Sequence, residues 1–412
     1  MAAIAAFQGE WPVQKHTLYL LDGLAHAGYD VDFFCLESFF TDDPKDFCGS
    51  GVHIHRFSYS EAKPGDLNGL QHQAAWFADK TRSLHRKYLN LTQNTRSFIP
   101  AAINRRVQTV ATAKQYLCLI GIEKLGLVWA AQWAEQWHIP YLYYSLELYT
   151  RDHFFITSRR YWRRLKKAEQ FYCQNLAALI IQDQARAEVL LKDNELGDRP
   201  VIPLPISLPG SPYSKSSTYL RDKFQLPADS VLILQFGQIQ RYGKALVQLA
   251  QQFPEKYRLV LHDGLTQDLW QCEAFVEELK QLDRKNRVVF SLENLPFDQI
   301  QALSASADVG LVFYSNTPIN DQLTGRSSEK LALYLQCGLP VIGFRYPGYE
   351  PIETAQAGVL ITDLEEIGSA VQTILNAHPT YRHRAQQLFL AEYQFEKNVQ
   401  PLVQYLASLA TP

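Results

Sequence analysis

The chain has 412 residues, enough at roughly 100–200 residues per domain for two or three domains. With 47% hydrophobic and 12% aromatic positions it can fill full-sized cores, which excludes a disordered chain. Lys plus Arg number 40 against 42 for Asp plus Glu, and the formal charge of −2 argues against a protein that coats nucleic acid.

In chain order, Ala2–Phe7 is an apolar run that reads as a strand, followed by Gln8-Gly9-Glu10-Trp11. Leu18, Leu21, Leu24 and Ala25 recur at helical spacing, Gly28 ends the helix, and Val31–Leu36 reads as the next strand. Strand–loop–helix–strand is the seed of a parallel sheet. Val52–Phe57 alternates as a third strand, and residues 65–116 read as polar and mostly helical. The alternation resumes with strand Tyr116–Ile122, helix Leu125–Gln136, and strands Tyr141–Ser145 and Leu176–Gln182. Pro200, Pro203, Pro205, Pro209, Gly210 and Pro212 then crowd one short stretch, which marks a linker and a domain boundary near 205–212.

The second half repeats the plan. Strands are expected at Val231–Phe236, Arg258–His262, Arg287–Ser291, Val309–Tyr314 and Val341–Phe344. Helices are expected near 244–252 and at Leu269–Leu282, Phe297–Ala305 and Ser327–Cys337, with one or two more between Tyr381 and Leu409. So even a rhythm predicts two doubly wound Rossmann-like α/β domains facing across a cleft, over 1–205 and 206–380, with 381–412 packing back toward the first. Ligands of such folds sit just beyond the carboxyl ends of the strands.

The six cysteines form no CxxC pair and no zinc-spaced cluster, so they read as reduced core thiols in a cytosolic protein. No basic leader precedes an apolar stretch, and none reaches the ~18–20 apolar residues that span a bilayer. Any membrane contact is therefore peripheral, and Arg159–Lys167, with six basic residues around Tyr161 and Trp162, is the segment that would make it. The plainer alternative is a solvated helix face.

Several loops after strands carry chemistry. Gly237-Gln238-Ile239-Gln240-Arg241-Tyr242-Gly243-Lys244 combines two glycines with Arg241 and Lys244 ahead of a helix, a plausible diphosphate site or an ordinary turn. Thr324–Leu331 is the stronger signal: Ser327 or Ser328 caps a helix start bracketed by Arg326 and Lys330, which doubly favours an anion. Glu293, Asn294 and Leu295 lie in a strand–helix loop able to frame a base edge, or are simply that loop. In His262-Asp263-Gly264, after another strand, the loop histidine reads more readily as structural than catalytic. In the first half, Glu123 and Glu147 are carboxylates at strand ends, suited to accept a proton from a hydroxyl or to serve as caps. No Walker loop, nucleophile elbow or HExxH is present.

Ser328-Glu329-Lys330-Leu331-Ala332-Leu333-Tyr334-Leu335-Gln336-Cys337-Gly338-Leu339-Pro340-Val341-Ile342 resembles the K-L-x-x-Y-x-x-x-G-x-P-V-I segment of group 1 glycosyltransferases of the GT-B fold, in a Lys-Leu version. Ala307–Leu311 and Ala357–Leu360 fit the same pattern, and the resemblance runs over about 230–380. It implies sugar transfer from a nucleoside diphosphate sugar, UDP-sugar favoured, to a hydroxyl of a glycan, lipid-linked or small-molecule acceptor. Retention of configuration is implied, with no metal and no cofactor. By the resemblance Arg241, Lys244, Ser327, Ser328 and Lys330 would hold the diphosphate, Glu293 to Leu295 would frame the base, and Gly9 would admit the donor or acceptor. Where many members carry two glutamates eight positions apart, this chain has Gly325 and Leu333, and Ser145-Leu146-Glu147 stands where many have a His. A nucleotide-sugar epimerase and a non-catalytic sugar-nucleotide binder on the same fold are the competing readings.

Overall fold

The computed structural model describes residues 2–9, 13–36, 48–57, 101–111, 113–156, 160–237, 239–264 and 269–410, the side chains of 101–102, 154–156, 160 and 269–272 excepted. The chain divides into two units, Met1–Pro205 with Glu396–Pro412, and Ile206–Phe395.

The first unit is built on a seven-stranded sheet ordered β3-β2-β1-β4-β5-β6-β7, every described pair parallel. Its strands are β1 (Ala3–Gln8), β2 (Asp30–Leu36), β3 (Val52–Phe57), β4 (Tyr116–Ile122), β5 (Tyr141–Tyr144), β6 (Ala178–Ile181) and β7 (Val201–Pro203). β1 and β4 are covered on both faces and read as near-continuous apolar runs, as central parallel strands do. Phe7, Phe34, Trp129 and Trp133 are fully buried, and each such side chain contributes roughly 1.5–3 kcal/mol on leaving water. Gly126, on the Glu123–Trp137 helix, lies so close to the carbonyl of Phe7 that no Cβ fits, which lets this helix press against β1.

The second unit carries a six-stranded parallel sheet ordered β10-β9-β8-β11-β12-β13. These strands are β8 (Val231–Phe236), β9 (Tyr257–His262), β10 (Val288–Ser291), β11 (Val309–Val312), β12 (Val341–Phe344) and β13 (Gly358–Ile361). In both sheets the winding reverses once, between β1 and β4 and between β8 and β11. At such a switch point the loops after the two strands run in opposite directions and leave a crevice at their carboxyl ends.

Two sequence expectations are revised. The proline-rich stretch taken as linker begins with β7, an edge strand paired only with β6, where prolines cost no ladder bond. The second unit extends past 380 to Phe395, because the His378–Leu388 helix is tied into it. Arg382 there donates to the carbonyls of Ala305, Ala307 and Cys337. Residues 396–412 belong to the first unit, where the Tyr405 hydroxyl donates to the Ala177 carbonyl at 3.0 Å. Of the expected helical stretch 65–116, only Ala101–Ala111 and the turn after it lie among the described residues.

Candidate functional site

In the second unit the switch point gathers groups from three elements. Gly237, just after β8, has φ +70°, a left-handed conformation natural to glycine, and donates its N–H to the His262 carbonyl at 2.8 Å. Arg241, on the Ile239–Ala250 helix, pairs with Asp321 at 2.5 Å. After β9, Asp263 accepts from the Ile239 N–H at 3.2 Å, and burial pushes its carboxyl above the usual range. Next to it His262 is buried, stacked on Phe236 and bonded to the Ser291 hydroxyl at 2.9 Å, with burial holding its pKa down at about 4. This imidazole is neutral and structural.

The third element is the Glu329–Gln336 helix. Ser328, not Ser327, is its cap: the Ser328 oxygen accepts from the Leu331 N–H at 3.1 Å and is bonded to the Tyr314 hydroxyl at 2.7 Å. Ser327 instead donates to the Leu323 carbonyl. Lys330, the second residue of the helix, lays its ammonium over the Tyr314 ring at 5.2 Å from the centroid. It makes no hydrogen bond or ion pair with any described residue. Burial and the Arg241 guanidinium bring its pKa down to about 7, against the opposing pull of Asp263. A crowded cation with no counter-ion, beside a second cation and at a helix start, is short of one anion.

Tyr334 fixes this helix to the sheet. Its hydroxyl accepts from the Phe236 N–H at 3.0 Å and donates to the Leu234 carbonyl at 3.3 Å, while its ring fills the space left by the missing side chain of Gly310.

Other expected residues lie elsewhere. Lys244 pairs with Glu278 at 2.5 Å on the neighbouring helix, its ammonium over Phe275. Arg326 is engaged by Glu392, and Glu293 by Lys223. Asn294 is exposed and abuts Gly264, where a Cβ would collide with its side-chain oxygen. Leu295 is half-buried. Gln238 lies outside the described residues. Gly325 backs onto the carbonyl of Gly348 with no room for a side chain, and Leu333 is core. Gly325 therefore has no room for a carboxylate, and one at Leu333 would lie in the core.

In the first unit the register sets Gln8, Ile122, Tyr144 and Ile180 in one row across the sheet, so Gly9, Glu123 and Ser145 follow at its carboxyl edge. Gly9 is required by packing, since a Cβ there would stand 2.7 Å from the Leu125 side chain. Glu10 and Trp11 lie outside the described residues. Glu123 is buried, adopts φ +61°, and takes two N–H donors on one oxygen, from Leu146 at 2.6 Å and Glu147 at 2.8 Å. In this arrangement the Glu123 carboxylate holds the 145–147 loop. Gln182 and Arg186 secure the same loop through the carbonyls of Ser145 and Leu146. Glu147 is half-buried at its tip, within the field of Arg186.

Behind the loop, Glu169 is wholly buried, and Lys166 and Lys124 overcome the burial that would raise its pKa, leaving it below the usual range. Lys166 pairs with Glu169 at 2.7 Å and Asp193 at 2.5 Å, so it is withdrawn from the basic face expected at 159–167. Of that block Lys167 is exposed, Arg163 and Arg164 are half-buried, and Arg159 lies outside the described residues. Among the described residues no three His, Cys, Asp or Glu side chains converge on a metal position, and no helix is long and apolar enough to cross a membrane.

Sequence reading singled out Arg241, Ser328 and Lys330 but passed over Tyr314 and Asp321, and in His262-Asp263-Gly264 it weighed only the histidine. Tyr314 and Asp263 had a usable signal: Asp263 directly follows β9 and Tyr314 comes two residues after β11, both at the carboxyl edge of the sheet.

Residues 266–389 match the family described as Glucosyltransferase 3-like, C-terminal domain. No curated protein sequence matches the chain. Among solved structures it is similar to sucrose-phosphate synthase from Thermosynechococcus elongatus, at 17% identity and TM-score 0.68 over 100% of this chain and 99% of that one. Anabaena HepE, solved with UDP, is similar at 16% identity and TM-score 0.69 over 99% and 100%. WaaG, a glycosyltransferase involved in lipopolysaccharide biosynthesis, is similar at 15% identity and TM-score 0.60 over the full length of both. What these share with the chain is the fold, two Rossmann-like α/β domains of the GT-B glycosyltransferase type.

Proposed function

We propose that the chain is a glycosyltransferase that moves a sugar from a nucleoside diphosphate sugar, UDP-sugar favoured, to a hydroxyl of a glycan, lipid-linked or small-molecule acceptor. The observation that carries the reading is Lys330: a crowded ammonium with no ion-pair partner among the described residues, beside Arg241, at a helix start on the β8/β11 switch point. A diphosphate supplies the missing charge. As the glycosidic bond to the donor breaks, negative charge grows on the leaving diphosphate. Lys330, Arg241 and the helix-start amides are placed to stabilise it in the role a divalent cation plays elsewhere. Transfer without metal accords with this reading, and retention of configuration is carried over from the resemblance to group 1 glycosyltransferases.

The other half of the reaction falls to the first unit, where Glu147 is the carboxylate assigned to the acceptor hydroxyl, on a loop held by Glu123, Gln182 and Arg186. HepE has been solved with UDP-glucose, which supports UDP-glucose as the first donor to try. The test is to incubate the purified chain with UDP-, GDP- and ADP-sugars and acceptors, with and without EDTA, and to follow nucleotide release and product mass. Nucleotide release with a glycosylated product, unchanged by EDTA, supports the proposal. An interconverted sugar would make the chain an epimerase, and binding without turnover a non-catalytic binder.

A further inference from the structure

At the opposite end of the first unit's sheet lies a pocket of about 730 Å³. It is bordered by Tyr116 at the start of β4, Ile139 just before β5, and the carboxyl ends of two helices, Ala101–Ala111 and Glu123–Trp137. β4 has seven residues, so the pocket is about 20 Å from the loop that carries Glu123 and Glu147.

Its lining is chemically consistent. Trp137 is half-buried and stacks with Tyr116 at 5.8 Å, so that these two lining rings make an aromatic wall, backed by the buried Trp133 at 6.2 Å from Trp137. The Trp137 indole N–H has no partner among the described residues, and neither do the side-chain amides of Gln108, Gln115 and Gln136. Three amides and an indole N–H thus border one cavity without a protein partner among the described residues. Most polar side chains packed onto a folded surface bond to their own chain or to water, and four around one cavity offer a ready donor and acceptor set.

Charge narrows the ligand. Lys114 borders the pocket, but its ammonium is neutralised by Asp30 and Asp32, each at 2.7 Å. Asp32 is buried and bound besides by Tyr116 at 3.0 Å and His55 at 2.7 Å, which hold its pKa at about 2 despite burial, so the pair stays ionised and closed on itself. The two helices present their negative dipole ends, which disfavours phosphate or carboxylate. A neutral ligand rich in hydroxyls, with a flat apolar face for the aromatic wall, fits what remains.

We propose that this pocket is a second saccharide-binding site that holds a neutral oligosaccharide away from the site of transfer. The proposal does not depend on the donor reading, and the two fail separately.

The test uses the full chain saturated with UDP and titrated by calorimetry and saturation-transfer NMR with maltohexaose, cellohexaose and mannohexaose. At least one is expected to bind at about 10 mM or below. A Gln115→Ala, Gln136→Ala double variant, both positions exposed, is expected to weaken that binding at least about tenfold, with UDP affinity unchanged. Trp137→Ala is expected to abolish it, and the double variant stands alone if loss of the aromatic stack unfolds that protein. No binding by any of the three sugars, or binding that survives the double variant, overturns the site.

Discussion

The ammonium of Lys330 stands 5.2 Å from the centre of the Tyr314 ring, and the hydroxyl of that same tyrosine is bonded to Ser328, the cap of the helix Lys330 belongs to. The cation is therefore positioned by a ring that is itself anchored to the helix start. Lys330→Ala is expected to weaken UDP-glucose binding by about 1–3 kcal/mol, the range for a lost charge-assisted contact. Calorimetry on the folded variant checks it, and unchanged affinity would remove Lys330 from the site.

Because the pKa of Lys330 is lowered to about 7, the free protein carries this charge below pH 7 and loses it above. A bound diphosphate favours the charged form, so binding above pH 7 must take up a proton. Affinity for UDP-glucose is expected to be greatest on the acid side of 7 and to fall by up to about tenfold per pH unit beyond it. Calorimetry in two buffers of different ionisation enthalpy reads the proton directly. Equal heats at about pH 8, with affinity flat from about pH 6 to 9, would mean Lys330 does not titrate with the ligand.

The two carboxylates of the first unit should separate by experiment. Glu123 takes two backbone N–H groups in a buried, left-handed conformation, so Glu123→Ala orphans both donors and is expected to cost about 2–4 kcal/mol of stability. Glu147→Gln is expected to leave stability within about 0.5 kcal/mol and to lower turnover more than donor affinity. Denaturant unfolding and steady-state kinetics on both variants check the split. Equal losses of turnover and affinity in Glu147→Gln would argue against a role in proton transfer.

The strands of both sheets were readable because parallel strands buried on two faces are unbroken apolar runs, as in Val231–Phe236 and Tyr116–Ile122. β7 was not, since Pro200 and Pro203 make an edge strand look like a linker. Within the site, local sequence revealed Lys330 and Ser328, which share one helix start. It could not reveal that Lys244 and Arg326 are taken by Glu278 and Glu392, because those pairings join residues far apart in sequence. Nor could it show that Lys166, in a run of basic residues, turns inward to Glu169 and Asp193. Helical periodicity says which face a residue occupies, not which partner waits there.

Gly325 offers a test of how the site is built. Its backbone lies against the Gly348 carbonyl, and Tyr393 donates to the Gly325 carbonyl at 2.7 Å. Gly325→Ala is expected to cost about 1–3 kcal/mol, the usual penalty of overpacking. Gly325→Glu, which installs the acid many similar sequences carry, is expected to be worse rather than to improve donor binding. Tighter UDP-glucose binding by Gly325→Glu, with stability intact, would show that the helix start tolerates a side chain there.

His262 makes the second unit sensitive to acid. Its folded pKa is lowered from 6.5 to about 4 by burial, so between those values the unfolded chain binds a proton the folded chain refuses. Stability from this group is complete above pH 6.5 and is lost as pH falls toward 4, by about 3 kcal/mol in all. His16, buried with both ring nitrogens unpartnered among the described residues and a pKa of about 4, imposes the same slope on the first unit. His262→Gln keeps a polar group near Ser291 but cannot charge, and is expected to flatten the loss over this window by about half, with His16 supplying the rest. Urea unfolding followed across this window in both proteins checks it. Parallel pH curves for parent and variant would place the acid sensitivity in other groups.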